Sequence, residues 1–139
     1  MKITSQWVEN RCFVATNETG QSVVMDGQAA SEGGKRGASP MELLLMGVAG
    51  CSSIDVVEIA KKQRQRIVDC IATVEGTRAD SIPKVFTEIH IHFQVIGHDL
   101  NHEAIAKAVS LSAEKYCSAS IMLGKAAKVS HSFEIVAAE

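Results

Sequence analysis

The segment from Ser39 to Cys51 constrains the fold of this chain more than any other. Ser39 can cap a helix, Pro40 fits a first turn, and Glu42 stands where its carboxylate reaches back to the Ser39 N–H. From Leu43 to Cys51 no charged side chain interrupts the helix. A helix that is apolar all round has no face to offer water, so it is buried in a core or against a second subunit. Gly47 and Gly50 lower its helix propensity but permit close packing or a bend. From Asp55 the pattern turns amphipathic, with Ile54, Val57 and Ile59 set among Asp55, Glu58, Lys61 and Lys62, and the helix is expected to end near Arg64.

Strands flank this helix. Ile3–Val8, Cys12–Ala15 and Gln21–Met25 read as short strands, punctuated by Asn10 and by Thr19 and Gly20. Asp26–Ala38 is glycine-rich and nearly free of apolar residues, so it reads as a mobile loop of the length that often carries function. Val68–Thr77 and Val85–Val95 read as two more strands. In the second, Val85, Thr87, Ile89, Ile91, Phe93 and Val95 share one face, and Lys84, Glu88, His90, His92 and Gln94 the other. Ile105, Ala108, Val109, Ser112 and Tyr116 mark one face of a second helix. A short helix over Ala119–Ala127 follows, with Ser118 as its cap, and Val129–Val136 closes the chain as a strand. Strands, long helix, two strands, two helices and a strand make an α+β chain rather than an alternating parallel one. At 139 residues it is expected to form one domain, 1–139.

Composition narrows the function. A net charge of −2 offers no basic face to a phosphate backbone, so nucleic acid is not an expected partner. The N-terminal residues lack the pattern of a signal peptide, and the Leu43–Cys51 run is too short to cross a bilayer. A soluble, cytoplasmic protein is expected, with no membrane partner. In a reducing compartment the four cysteines, Cys12, Cys51, Cys70 and Cys117, are not expected to form a structural disulfide framework. No C-x-x-C occurs, which removes the common thioredoxin and zinc-ribbon readings.

Two of the cysteines sit where chemistry is conceivable. Cys51 lies on the apolar helix, where a buried thiol often serves as a small hydrophobe. Its neighbours Gly50, Ser52 and Ser53 instead surround the sulfur with small and hydroxyl-bearing residues. A mid-helix thiol gains nothing from the helix ends and needs a nearby cation or donor to ionise. Cys117 falls at the junction of two helices; it is either a core cysteine at a helix break or a thiol whose pKa the following helix lowers. Cys12 and Cys70 read as structural. His90 and His92 project from one strand face, a spacing that can hold a metal, but no third ligand accompanies them, so no metal or other cofactor is expected. His98, His102 and His131 read as surface residues.

Ser39-Pro40-Met41-Glu42-Leu43-Leu44-Leu45, Gly50-Cys51-Ser52 and Glu114-Lys115-Tyr116-Cys117-Ser118 together resemble the osmotically inducible protein C (OsmC) family. That family also contains the organic hydroperoxide resistance (Ohr) proteins, and within it the likeness is greatest to the YhfA-like branch. The resemblance covers nearly the whole chain. It implies an intertwined homodimer, with a long central helix per subunit packed against antiparallel sheets. It further implies that Cys51 attacks a hydroperoxide, organic ones preferred, and that Cys117 condenses with the resulting sulfenic acid. A dithiol reductant, lipoyl-type carriers among the candidates, would reopen the disulfide.

An arginine and a glutamate assist the first cysteine in such a site. Arg36 is the first candidate for the arginine and Arg11 the second. Glu42 is the candidate glutamate, although the peroxidase branches carry theirs one position earlier, where this chain has Met41. One helical position is a rotation of about 100°, and a straight helix sets Glu42 on the order of 13 Å from its own Cys51. Glu42 would therefore act through a bend or from the partner subunit. Ser118 stands where many relatives have proline. A second reading, from a different class, keeps the fold without the activity: a non-enzymatic dimer that binds a small hydrophobic ligand or a protein partner.

Overall fold

The computed structural model describes residues 1–139 except the side chain of Ala30. Its contacts cluster in two compact units, Met1–Leu44 and Leu45–Glu139.

In the first unit β1 (Ile3–Glu9), β2 (Cys12–Asn17) and β3 (Ser22–Asp26) form an antiparallel meander. Asn10, with φ of 47°, and Gly20, with φ of 91°, take the left-handed conformations that the tight turns demand. The glycine-rich loop that follows is tethered at both ends by one residue. Asp26 is 1% exposed; its carboxylate accepts from the Gln28 N–H at 2.8 Å and the Arg36 N–H at 3.1 Å, while its own N–H donates to the Ala38 carbonyl at 3.0 Å. These amide bonds, Gln28 first, hold the Asp26 carboxyl below the usual carboxylate range. A single 3₁₀ turn over Ala30–Glu32 lies inside the loop. Gly37 presses on the Val24 carbonyl so closely that a Cβ there would collide with it.

Helix α1 (Pro40–Lys62) starts as its sequence dictates. The Ser39 N–H donates to Glu42 Oε2 at 2.7 Å, and the Glu42 N–H donates to Ser39 Oγ at 3.2 Å. The helix stops at Lys62, with Arg64 in a left-handed conformation just beyond. Taken whole, its 23 residues are long and apolar enough to cross a bilayer, although the uninterrupted apolar run within it is short; the core helix of a soluble protein has the same composition. Only Val48, Ser52, Val56 and Ala60 are buried within the chain, one per turn. Met46 and Ile54, on other faces, remain 56% and 65% exposed.

The second unit holds the second sheet, β4 (Arg66–Arg78), β5 (Phe86–His98) and β6 (Lys128–Ala137), with β5 in the middle. β4 runs antiparallel to β5, whereas β6 runs parallel to it. The parallel pairing follows from the connection: α2 (His102–Leu111), a π-helical turn (Ser112–Tyr116) and α3 (Ser118–Leu123) return the chain to the same end of the sheet. Ile89, Ile91, Phe93 and Val95 are fully or almost fully buried on one face of β5, as their alternation predicts. The alternation fails at the start of the strand. A register irregularity between Thr77 and Arg78 buries Phe86 in place of Val85 and Thr87, and the Phe86 ring lies over Gly76, where a Cβ would meet it at 2.7 Å.

The opposite face of this sheet carries a polar ladder. His90 hydrogen-bonds through Nδ1 to Ser130 Oγ at 2.7 Å and through Nε2 to Ser132 Oγ at 2.8 Å. His92 Nδ1 shares Ser132 Oγ at 2.8 Å. The two imidazoles are thus partnered by β6 hydroxyls, and among the described residues no group of three or more His, Cys, Asp or Glu side chains could hold a metal ion. His131 departs from the surface position its sequence suggests. It belongs to the inner face of β6, half-buried, with its ring stacked on Phe93 at 6.4 Å. Burial, with a smaller contribution from His90, pushes its pKa down.

Candidate active site: the Cys51–Cys117 thiol pair

Cys51 lies in the middle of α1 and Cys117 at the junction of the π-helical turn and α3, and the structure brings the two together within the second unit. Cys51 is half-buried and Cys117 fully buried; all four cysteines are free thiols. Local chain geometry fixes Cys117. Its N–H donates to the Ser112 carbonyl at 2.9 Å, closing the π turn, and its carbonyl accepts from the Ile121 N–H at 3.0 Å. Its Sγ accepts from the Ser120 N–H at 3.4 Å, so Cys117 itself caps α3, the role its sequence assigned to Ser118.

Of the two readings of Cys117, the buried core cysteine at a helix break prevails. The Ser120 N–H does favour the thiolate, but burial outweighs it. With smaller contributions from the adjoining Cys51 and the Asp55 charge, burial pushes the Cys117 pKa up to about 11. Cys70 is also pushed up to about 11, by burial and then by the Asp69 charge, and has no thiol partner. Cys12 is buried in β2.

The elements that carry the pair also carry two buried hydroxyls, Ser52 on α1 and Ser112 on the π turn. Ser52 Oγ donates to the Val48 carbonyl at 2.6 Å, the back-bond that lets a serine sit inside a helix. Ser112 Oγ lies 3.4 Å from the Ser52 carbonyl and 3.4 Å from Asp55 Oδ2. Asp55, one turn beyond Cys51, also borders a groove of about 400 Å³ lined by Glu58, Lys62, Lys107, Leu111 and Tyr116. Asp55 and Ser112 were not legible as site residues. Asp55 read as part of a solvated helix face and Ser112 as part of a buried one; the only sequence signal is that Asp55 follows Cys51 by four positions.

The charged candidates belong to the first unit and have partners there. Glu42 accepts from the Ser39 N–H and lies 3.4 Å from Lys35 Nζ; these contacts, the Ser39 amide first, hold its carboxyl below the usual range. Arg36 is ion-paired with Glu9, and its N–H is held by Asp26. Arg11 is exposed, with Nη1 donating to the Gly27 carbonyl at 3.5 Å.

Two three-stranded sheets, a long capped helix and a cysteine from that helix beside one from a helix junction define a protein of the OsmC type. The OsmC-like protein family matches residues 32–132, and the chain belongs to that family. It is 46% identical over 138 residues to Protein YhfA of Escherichia coli K12, covering 99% of this chain and all of that one. The fold is shared with a hypothetical protein from Aquifex aeolicus VF5 at a TM-score of 0.86 and 29% identity, covering 99% of this chain and 97% of the other. It is also shared with the organic hydroperoxide resistance protein OhrB of Bacillus subtilis, at a TM-score of 0.65 and 23% identity over 96% of each chain.

Proposed function

We propose that this protein is a thiol-dependent reductase of organic hydroperoxides, in which Cys51 attacks the peroxide and Cys117 resolves the product. The observation that carries the reading is the adjacency of two free thiols of unlike character, one half-buried and one fully buried with its proton held. Family membership and the peroxide-resistance name of the Bacillus subtilis neighbour support it. The Cys51 thiolate attacks the outer oxygen of R–O–O–H; an S–O bond forms, the O–O bond breaks, and the alkoxide takes up a proton to leave as the alcohol. Cys117 then attacks the Cys51 sulfenic acid. The S–S bond forms, the S–O bond breaks, and the Cys117 proton leaves with the hydroxyl as water. An external dithiol, of which a lipoyl group is one, returns two electrons and two protons by thiol–disulfide exchange. Free thiols suit the reducing cytosol, where we place the protein.

The working unit we propose is a homodimer. The exposure of Leu44, Met46 and Ile54 along α1 leaves apolar area that a second copy would cover. The interface is expected to exceed ~2,000 Å², the obligate kind. Sedimentation at micromolar concentration should give a dimer, and a clean monomer would refute it.

Arg36 is the proposed cation that assists Cys51, with Glu42 and Glu9 as carboxylates able to orient it. Arg36→Ala should slow consumption of cumene hydroperoxide at least about tenfold, ~1.4 kcal/mol of transition-state stabilisation, and leave the dimer intact. Wild-type activity in Arg36→Ala with loss in Arg11→Ala would transfer the role to Arg11. The pairing of Arg36 with Glu9 and of Glu42 with Ser39 favours the second reading, a dimer that binds a hydrophobic ligand or protein without turnover. One assay separates the two. Reduced protein with excess dithiol should consume cumene hydroperoxide faster than hydrogen peroxide, and no consumption of either leaves the binding reading in place.

A further inference from the structure

We propose that Asp26 is a positioning residue for Arg36. Its buried carboxylate fixes the Arg36 main chain at β3 while Glu9 fixes the guanidinium at β1, so the arginine spans the end of the first sheet instead of moving with its loop. The inference rests on the reading of Arg36 as the cation that assists Cys51, and adds to it the group that holds that cation in place.

Glu9, Cys12 and Asp26 form one row across the meander. Glu9 of β1 stands opposite Cys12 of β2, and Cys12 opposite Asp26 of β3. Neighbouring strands are about 4.8 Å apart, so the main chains of Glu9 and Asp26 are separated by about 10 Å. Arg36 is held from both ends of that row. Its N–H donates to Asp26 Oδ2 at 3.1 Å, and its guanidinium is ion-paired with Glu9. Bridging the two draws the arginine side chain out across the end of β2.

Little else in the loop restrains Arg36. Gly33, Gly34 and Gly37 flank Lys35 and Arg36, and a glycine-rich segment has much conformational freedom to lose. Asp26 removes that freedom from both sides. Oδ1 accepts from the Gln28 N–H at the start of the loop, Oδ2 from Arg36 near its end, and Met25 pairs with Ala38 as a parallel bridge beside them. The residue has to be an acid. Both carboxylate oxygens accept, whereas an amide would turn its NH₂ against one of the two N–H groups. A buried charge is costly unless it is hydrogen-bonded, and Asp26, 1% exposed, has a backbone donor on each oxygen. Those donors, Gln28 first, hold its carboxyl below the usual range, so the clamp is charged at every pH where a thiol ionises. A guanidinium has five N–H donors, and the pair with Glu9 leaves others for a thiolate or a peroxide oxygen. Asp26 meets neither; it acts through Arg36.

The test is a double-mutant cycle in the full-length protein, read by consumption of cumene hydroperoxide under excess dithiol, together with amide hydrogen exchange by NMR. Asp26→Asn keeps the size of the side chain but can accept only one of the two loop amides. It should slow consumption about three- to tenfold. In an Arg36→Ala background it should change the rate by less than about 1.5-fold, because the residue it positions is gone. A merely structural role would slow both backgrounds alike. In the wild-type protein the Gln28 and Arg36 amides should exchange at least about a hundredfold more slowly than that of Lys35, a readout that does not depend on the variant folding. Unprotected Gln28 and Arg36 amides overturn the proposal. So does a wild-type rate in Asp26→Asn while Arg36→Ala is slow, or equal slowing by Asp26→Asn in both backgrounds; each of these counts against Asp26 alone. Arg36→Ala at the wild-type rate counts against the Arg36 reading and removes the role of Asp26 with it. Protected amides in a protein that consumes no hydroperoxide count against the reductase reading.

Discussion

Cys51→Ser is expected to reduce hydroperoxide consumption by at least about a thousandfold, ~4 kcal/mol of lost transition-state stabilisation. A serine hydroxyl remains protonated at neutral pH and is a far weaker nucleophile than a thiolate. Its fellow thiol cannot substitute, because Cys117 is fully buried and keeps its proton up to about pH 11. Cys117→Ser should behave differently. The first turnover proceeds, the Cys51 sulfenic acid persists, and a second equivalent of peroxide drives it to sulfinic acid. Single-turnover consumption followed by trapping of the sulfenic acid distinguishes the two variants. Equal loss of the first turnover in both, or full activity in Cys51→Ser, would reverse or remove the assigned roles.

Phe93→Ala should cost about 3–5 kcal/mol of stability, the range for deleting a fully buried aromatic ring. Phe93 lies on β5, the central strand of its sheet, between Ala72 of β4 and Phe133 of β6, and is wholly buried. The His131 ring stacked on it would lose its support as well. Chemical denaturation in urea should show a lower midpoint at unchanged slope. A loss below about 1 kcal/mol would mean that the core collapses around the gap, which interiors packed at crystalline density do not readily do.

Local rules made most of the framework legible. Ser39, Pro40 and Glu42 announce the start of α1 because a capping box involves only residues three apart. The buried face of β5 follows from its period of two. What escaped depends on contacts between segments far apart in sequence. The parallel partner of β5 is set by the path of the α2–α3 crossover, and no residue within Val129–Val136 encodes the direction. His131 read as a surface residue because polarity suggests exposure, yet strand parity places it inward with Val129 and Phe133.

The site shows the same division. Cys51 and Cys117 stood out by their neighbours in sequence, but their relation to each other is a tertiary fact. The sequence leaves the sign of the Cys117 shift open. A helix N-terminus acts locally and can be seen in sequence, whereas the burial that outweighs it cannot. Asp55 and Ser112 went unnoticed for the same reason: they are 57 positions apart and meet only once α1 and the π turn are packed. Glu9, the partner of Arg36, carries no local signal of that role, because the two are 27 positions apart in sequence.

The most direct measurement is mass spectrometry of the fully reduced protein after one equivalent of cumene hydroperoxide, with the time course repeated for hydrogen peroxide. The expected result is a single Cys51–Cys117 disulfide, formed faster with the organic peroxide, while Cys12 and Cys70 stay reduced. Failure of that bond to form, or a first disulfide through Cys12 or Cys70, would contradict the assignment of Cys51 and Cys117 as the working pair.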